Sequence, residues 1–168
     1  VRDSLGDRIR LILDGGPCSV GVESTIVKVD ENRATLLRPG GVTRREIERV
    51  IGKALQAPSG AAIEAPGMLQ SHYAPQAPVR LNATAPSPDE AFLGFGPGAG
   101  ESETTINLSE RGDPVEAAAN LFAYMRAADQ MVAARSLKGI AVAPIPNEGL
   151  GEAINDRLAR AAAPDRGD

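Results

Sequence analysis

The chain has 168 residues, 42% of them hydrophobic but only 3% aromatic, with no Trp, a single Cys, a single His and a formal net charge of −4 at pH 7. That balance argues against a broad basic footprint for nucleic acid or an anionic membrane, and one cysteine excludes an internal disulfide, as suits a reducing compartment. No run of about 18 apolar residues offers a membrane span, and the charged opening VRDSLGDRIR is unlike a signal peptide, so a soluble, cytoplasmic protein is expected, with a core of Ala, Val, Ile and Leu.

In chain order, residues 9–13 (IRLIL) predict a short buried strand, followed by DGGPCSVG, whose glycines and proline mark a loop. STIVKVD alternates Thr25, Val27 and Val29 as a strand with one covered face, and a turn at Asn32 leads into a partner strand, ATLLR. Thr43 and Glu46 spell a capping box for a helix reaching about Gly52, with Ile47, Val50 and Ile51 on one face. Residues 53–78 lose periodicity and carry prolines at 58, 66, 75 and 78, the composition of an extended connector, and long connectors tend to be lids or linkers. Beyond it VRLNA, AFLGFG, TTINLS and GIAVAPIP read as strands. Asp113, Pro114 and Glu116 open a helix carrying Leu121, Phe122, Met125, Ala128 and Val132, and residues 153–162 form a last helix on Ile154 and Leu158. Strands alternating with helices predict a small α/β layer domain.

Few residues suggest chemistry by themselves. GGPCSVGVEST is either a glycine-rich anion cradle, with Ser24 and Thr25 adding hydroxyls, or a plain turn; it matches neither phosphate-loop nor dinucleotide spacing. Cys18, with no base beside it, reads as a small apolar filler. Arg38, at a strand end before PGG, either grips a phosphate or carboxylate or pairs with a surface acid. His72 is a candidate base or a packing residue, and lacks the companions of a metal site; Tyr73 either anchors the connector or stacks on a base. EGLGEAINDRLARAAAP reads as an amphipathic helix with a structural role.

Together, LILDGGPCSVGVESTIV, LLRPGG, APGMLQSHYAP and IAVAPIPNEGLGEAINDRLARAAAP follow one another as in the two-domain threonylcarbamoyl-AMP synthases, which the chain resembles over nearly its whole length. The resemblance implies the end of an α/β catalytic domain at residues 1–55, a Pro-rich linker or lid at 56–78, and a small Rossmann-like three-layer α/β domain at 79–168. It implies a nucleotidyltransferase that joins L-threonine, bicarbonate and ATP, with Mg2+, into threonylcarbamoyl-AMP and pyrophosphate. The product feeds tRNA N6-threonylcarbamoyladenosine formation through downstream transfer proteins, without direct tRNA binding by this chain. It places Ser24 at the L-threonine site and Arg38 and Tyr73 on ATP, with Thr25 and His72 as neighbours in the site or lid; it assigns no catalytic nucleophile and no metal ligand. The family's Lys-x-Arg and Ser-Ala-Asn elements lie upstream of LILDGG and do not occur here, so the chain by itself is expected to be inactive. The alternatives are a noncatalytic α/β module that binds a small ligand or regulates the lid, and an RNA-binding module, which the acidic charge disfavours.

Overall fold

A computed structural model describes residues 2–16, 18–59, 65–66, 74–100 and 102–163. A short helix, α1 (Arg2–Leu5), and a 3-10 turn (Gly6–Arg8) lead into irregular chain. Residues 9–13 are not a strand: no described strand lies beside them to complete a ladder, and Leu11 and Leu13 are 73% and 87% exposed. Cys18 is likewise exposed, not buried as filler, because its loop lies outside the packed cores.

The first half is built on an antiparallel pair, β1 (Ile26–Val29) and β2 (Ala34–Arg38). Asp30 and Arg33 close the turn between them with reciprocal backbone hydrogen bonds. Beyond the RPGG stop, α2 (Arg44–Ile51) starts on the expected capping box: the Thr43 hydroxyl accepts from the Glu46 amide, and the Glu46 carboxylate accepts from the Thr43 amide at 2.8 Å. That arrangement satisfies two donors that a helix start leaves open. Ile47 then packs with Ala34, Leu36, Leu55 and Val27 in a small core. The connector begins as part of this half, since Gln56 bonds through its backbone to Ala34 and Leu36 as a single-residue addition to β2.

The second half is a four-stranded, all-parallel sheet in the order β3-β6-β4-β5, formed by β3 (Val79–Arg80), β4 (Glu90–Gly94), β5 (Thr105–Asn107) and β6 (Gly139–Val142). β3 stops early because Asn82 turns into the left-handed region, at φ 56°. The 22-residue α3 (Pro114–Arg135) is capped by Asp113, whose carboxylate accepts the Val115 amide at 2.9 Å. α4 (Leu150–Ala161) starts three residues ahead of expectation, after Gly149 at φ 58°. Both helices pack on the face presenting Ala91, Leu93, Ile140 and Val142, through Leu121, Met125, Ala128, Ile154 and Leu158. The opposite face, with Phe92 and Ala141, is closed by Ala83, Ala143, Phe95 and Ala99, so among the described residues the third layer comes from loops and not from a helix. The sheet flanked by helices is the expected Rossmann-like α/β arrangement. Asp129 on α3 receives the Gln76 and Ala77 amides at 3.2 and 2.9 Å, fixing the end of the connector.

Candidate functional site

Ser24, Thr25 and Arg38 come together at the open end of the β1-β2 pair. Arg38 is the last residue of β2 and only 8% exposed. Its Nε and Nη2 donate to the Ser24 carbonyl at 3.2 and 3.0 Å, Nη2 lies 3.4 Å from Ser24 Oγ, and Nη1 donates to the Pro66 carbonyl at 3.2 Å. Among the described residues, Arg38 therefore meets carbonyl and hydroxyl oxygens and no carboxylate, which is not the surface ion pair left open by the sequence. A buried cation whose described partners are neutral dipoles favours an anion on its remaining side.

Glycines let the strands approach this closely. A Cβ on Gly40 would lie 2.3 Å from the Glu23 carbonyl oxygen and 2.5 Å from both Ser24 C and Thr25 N. The Gly41 amide donates to the Glu23 carbonyl at 2.9 Å. Thr25 Oγ1 donates to the Val42 carbonyl and accepts the Val42 amide at 3.1 Å, so its hydroxyl stitches the segment to the start of α2. Ser24 remains exposed over the buried guanidinium. His72 and Tyr73 lie outside the described residues.

The site segment is also held from the second half, by residues that the sequence reading passed over. Gly21 sits so close to α3 that a Cβ would meet the Ala118 carbonyl oxygen at 2.1 Å and Ala119 Cα at 2.4 Å. Val22 packs against the α/β core. Glu23 Oε2 lies 2.9 Å from Nε and 2.8 Å from Nη2 of Arg157, whose side chain is 1% exposed on α4. Nearby, Arg44 bonds Glu152 through Nε and Nη2 and the Leu55 carbonyl through Nη1 at 2.9 Å. The Glu152 side chain lifts the Arg44 pKa further above its usual range against partial burial. The available signal was Arg157 itself, which interrupts the apolar stripe of Ile154, Leu158 and Ala161; arginine is rarely fully buried without a partner.

No described helix is long and apolar enough to cross a membrane. Among the described residues, no group of three or more His, Cys, Asp or Glu side chains converges where a metal could be held. These residues alone do not fit a protein-held divalent ion.

The family model described as threonylcarbamoyl-AMP synthase, C-terminal domain, matches residues 42–163, and one described as telomere recombination matches residues 1–40. A threonylcarbamoyl-AMP synthase from Bacillus subtilis is 31% identical over 182 residues, covering 96% of this chain and 51% of that protein. One from Pyrococcus abyssi is 32% identical over 183 residues, covering 96% and 52%. The crystal structure of P. abyssi Sua5 complexed with L-threonine aligns with a TM-score of 0.77 at 28% identity, over 96% of this chain and 52% of that one. The chain spans about half the length of the curated relatives it matches. With a family model matching most of its residues, the chain belongs to the threonylcarbamoyl-AMP synthase C-terminal domain family.

Proposed function

We propose that this chain forms part of a synthase that makes threonylcarbamoyl-AMP from L-threonine, bicarbonate and ATP, for N6-threonylcarbamoyladenosine in tRNA. The observation that carries the reading is Arg38, buried, fixed on Ser24, and facing no carboxylate among the described residues. The names of the relatives and the L-threonine complex of the P. abyssi structure supply the chemistry. In this reading residues 1–55 close the synthase domain, 56–78 connect, and 79–168 form the second domain. Ser24 contacts L-threonine, while Arg38 and Tyr73 contact ATP, with Thr25 and His72 beside them. The threonine amine takes up carbon dioxide from bicarbonate as a carbamate. A carbamate oxygen then attacks the α-phosphorus, forming a P–O bond as the bond to pyrophosphate breaks. Such a step needs positioning and charge stabilisation, not a protein nucleophile. Arg38 supplies a fixed positive charge near the transferring group, and the connector would exclude water from the labile anhydride. Mg2+ enters on the ATP triphosphate as part of the substrate, and the activated threonine passes to downstream tRNA-transfer proteins.

The test is pyrophosphate release from ATP with L-threonine and bicarbonate, in a two-domain protein containing these 168 residues. The expected result is turnover that falls about tenfold or more in Arg38→Ala, since a charge-assisted hydrogen bond contributes about 1.5–3 kcal/mol, with a comparable loss in Tyr73→Ala. A silent two-domain protein would overturn the reading. A second reading, a small-ligand module, draws on the cavity of about 360 Å³ where Leu81 and Asn82 after β3 face Val142, Asn147 and Asn155. Ligands of open parallel sheets gather at such strand ends.

A further inference from the structure

We propose that Arg157, in the half of the chain remote in sequence from Ser24, is a positioning residue for the L-threonine site. The inference rests on the reading that places L-threonine at Ser24. Residues 21–24 are an irregular segment leading toward β1, and each member is fixed by a different partner. Gly21 abuts the α3 backbone, and Val22 enters the α/β core. Glu23 Oε2 accepts from Arg157 Nε at 2.9 Å and lies 2.8 Å from Nη2 as an ion pair, while the Glu23 carbonyl takes the Gly41 amide. The Ser24 carbonyl takes Arg38.

Arg157 is itself held rigidly. Its Nη1 donates to Asp156 Oδ2 at 2.6 Å, and the same carboxylate receives Arg160 Nε at 3.1 Å and Nη2 at 2.9 Å. A guanidinium 1% exposed and tied to Asp156 on its own helix has little freedom to follow Glu23, so Glu23 follows it. The Nε hydrogen bond and the Nη2 ion-pair contact converge on the one oxygen Oε2 and so fix where that end of the carboxylate lies. The consequence passes along one peptide unit to Ser24. Two neighbouring residues are thus each held by an arginine, Glu23 by Arg157 from the second half of the chain and Ser24 by Arg38 from the first. The α/β half thereby shapes a substrate subsite without touching substrate.

Two measurements test this. Hydrogen exchange in the 168-residue chain reads the coupling directly, because the Gly41 and Val42 amides donate onto the segment, to Glu23 O and Thr25 Oγ1. In Arg157→Gln these two amides are expected to exchange at least tenfold faster, while the Phe92 and Ala117 amides of the α/β half keep their protection. Glu23→Gln, changed on the partly exposed side of the pair, reproduces the effect if Arg157→Gln fails to fold, and Arg157→Lys restores part of the protection. Unchanged exchange at Gly41 and Val42 in the folded variants would overturn the coupling. In the two-domain protein, the same variants are expected to raise KM for L-threonine about tenfold, with recovery in Arg157→Lys and a smaller change in KM for ATP. Equal loss for both substrates, or an unchanged KM for L-threonine alongside faster exchange, would overturn the positioning role. Silence of the unsubstituted two-domain protein would instead overturn the synthase reading, and the exchange result would still decide the contact.

Discussion

Arg38 and Gly40 show how closely the candidate site depends on single atoms. The guanidinium reaches the Ser24 carbonyl because Gly40, two residues past the end of β2, has no side chain and lets residues 23–25 lie against the chain there. Gly40→Ala would drive a methyl group into the main chain, where nothing flexible can yield. We expect a loss of about 1–3 kcal/mol or more, the scale of forced overpacking, read as a lower urea midpoint, together with release of the Arg38 clamp. In the sequence, RPGG announces the end of a strand and no more. Close approach of a second strand is a long-range event, invisible to local turn chemistry. Ser24 and Arg38 are 14 positions apart, and their meeting was legible only through the resemblance carried by the surrounding motifs. Arg157 went unread because an amphipathic pattern explained its helix well enough.

Helices were the most legible elements, because their start signals are local. The Thr43–Glu46 box and the Asp113–Pro114 start both stand where the residues placed them. Thr43→Ala is expected to cost about 1 kcal/mol, seen in thermal unfolding and as fraying of α2. The hydroxyl and amide of Thr43 hold the Glu46 carboxyl below its usual range. Protonating Glu46 therefore removes the same cap from the other end: its contribution is present above the ordinary glutamate range and is lost as pH falls through the lowered value. Strands were harder to read. An apolar run such as residues 9–13 becomes a strand only when a neighbour offers a ladder, and the run itself cannot announce one. β3 was shortened by the backbone of Asn82, a residue type that tolerates the left-handed region and leaves no distinct trace in composition.

At the scale of the whole molecule, the parallel sheet is laced across its strands by charge. Arg80 on β3 passes over β6 to bond Glu90 on β4, with Nε–Oε1 at 2.9 Å and Nη2–Oε2 at 2.6 Å, and the Ser87 amide adds a further donor. The Arg80 guanidinium, and then the Ser87 amide, overcome partial burial and bring the Glu90 pKa down from 4.5 to about 2. A carboxyl lowered on folding stabilises fully above its unfolded value and loses that contribution as pH falls from about 4.5 through about 2. Urea midpoints measured between pH 5 and pH 2.5 are expected to fall less steeply in Glu90→Gln than in the parent, with Glu90→Gln the less stable of the two at pH 7.

Gly21 and α3 touch backbone to backbone, with Val22 packed against the core of the other half. A joint of that kind transmits shape, and neither surface has a flexible side chain to adjust. A residue larger than glycine on one side has no compensating trim on the other, because alanine-lined main chain cannot retreat. The two halves therefore admit change only together, and a first half grafted from a relative would seat only if it brought the same glycine to the same helix face.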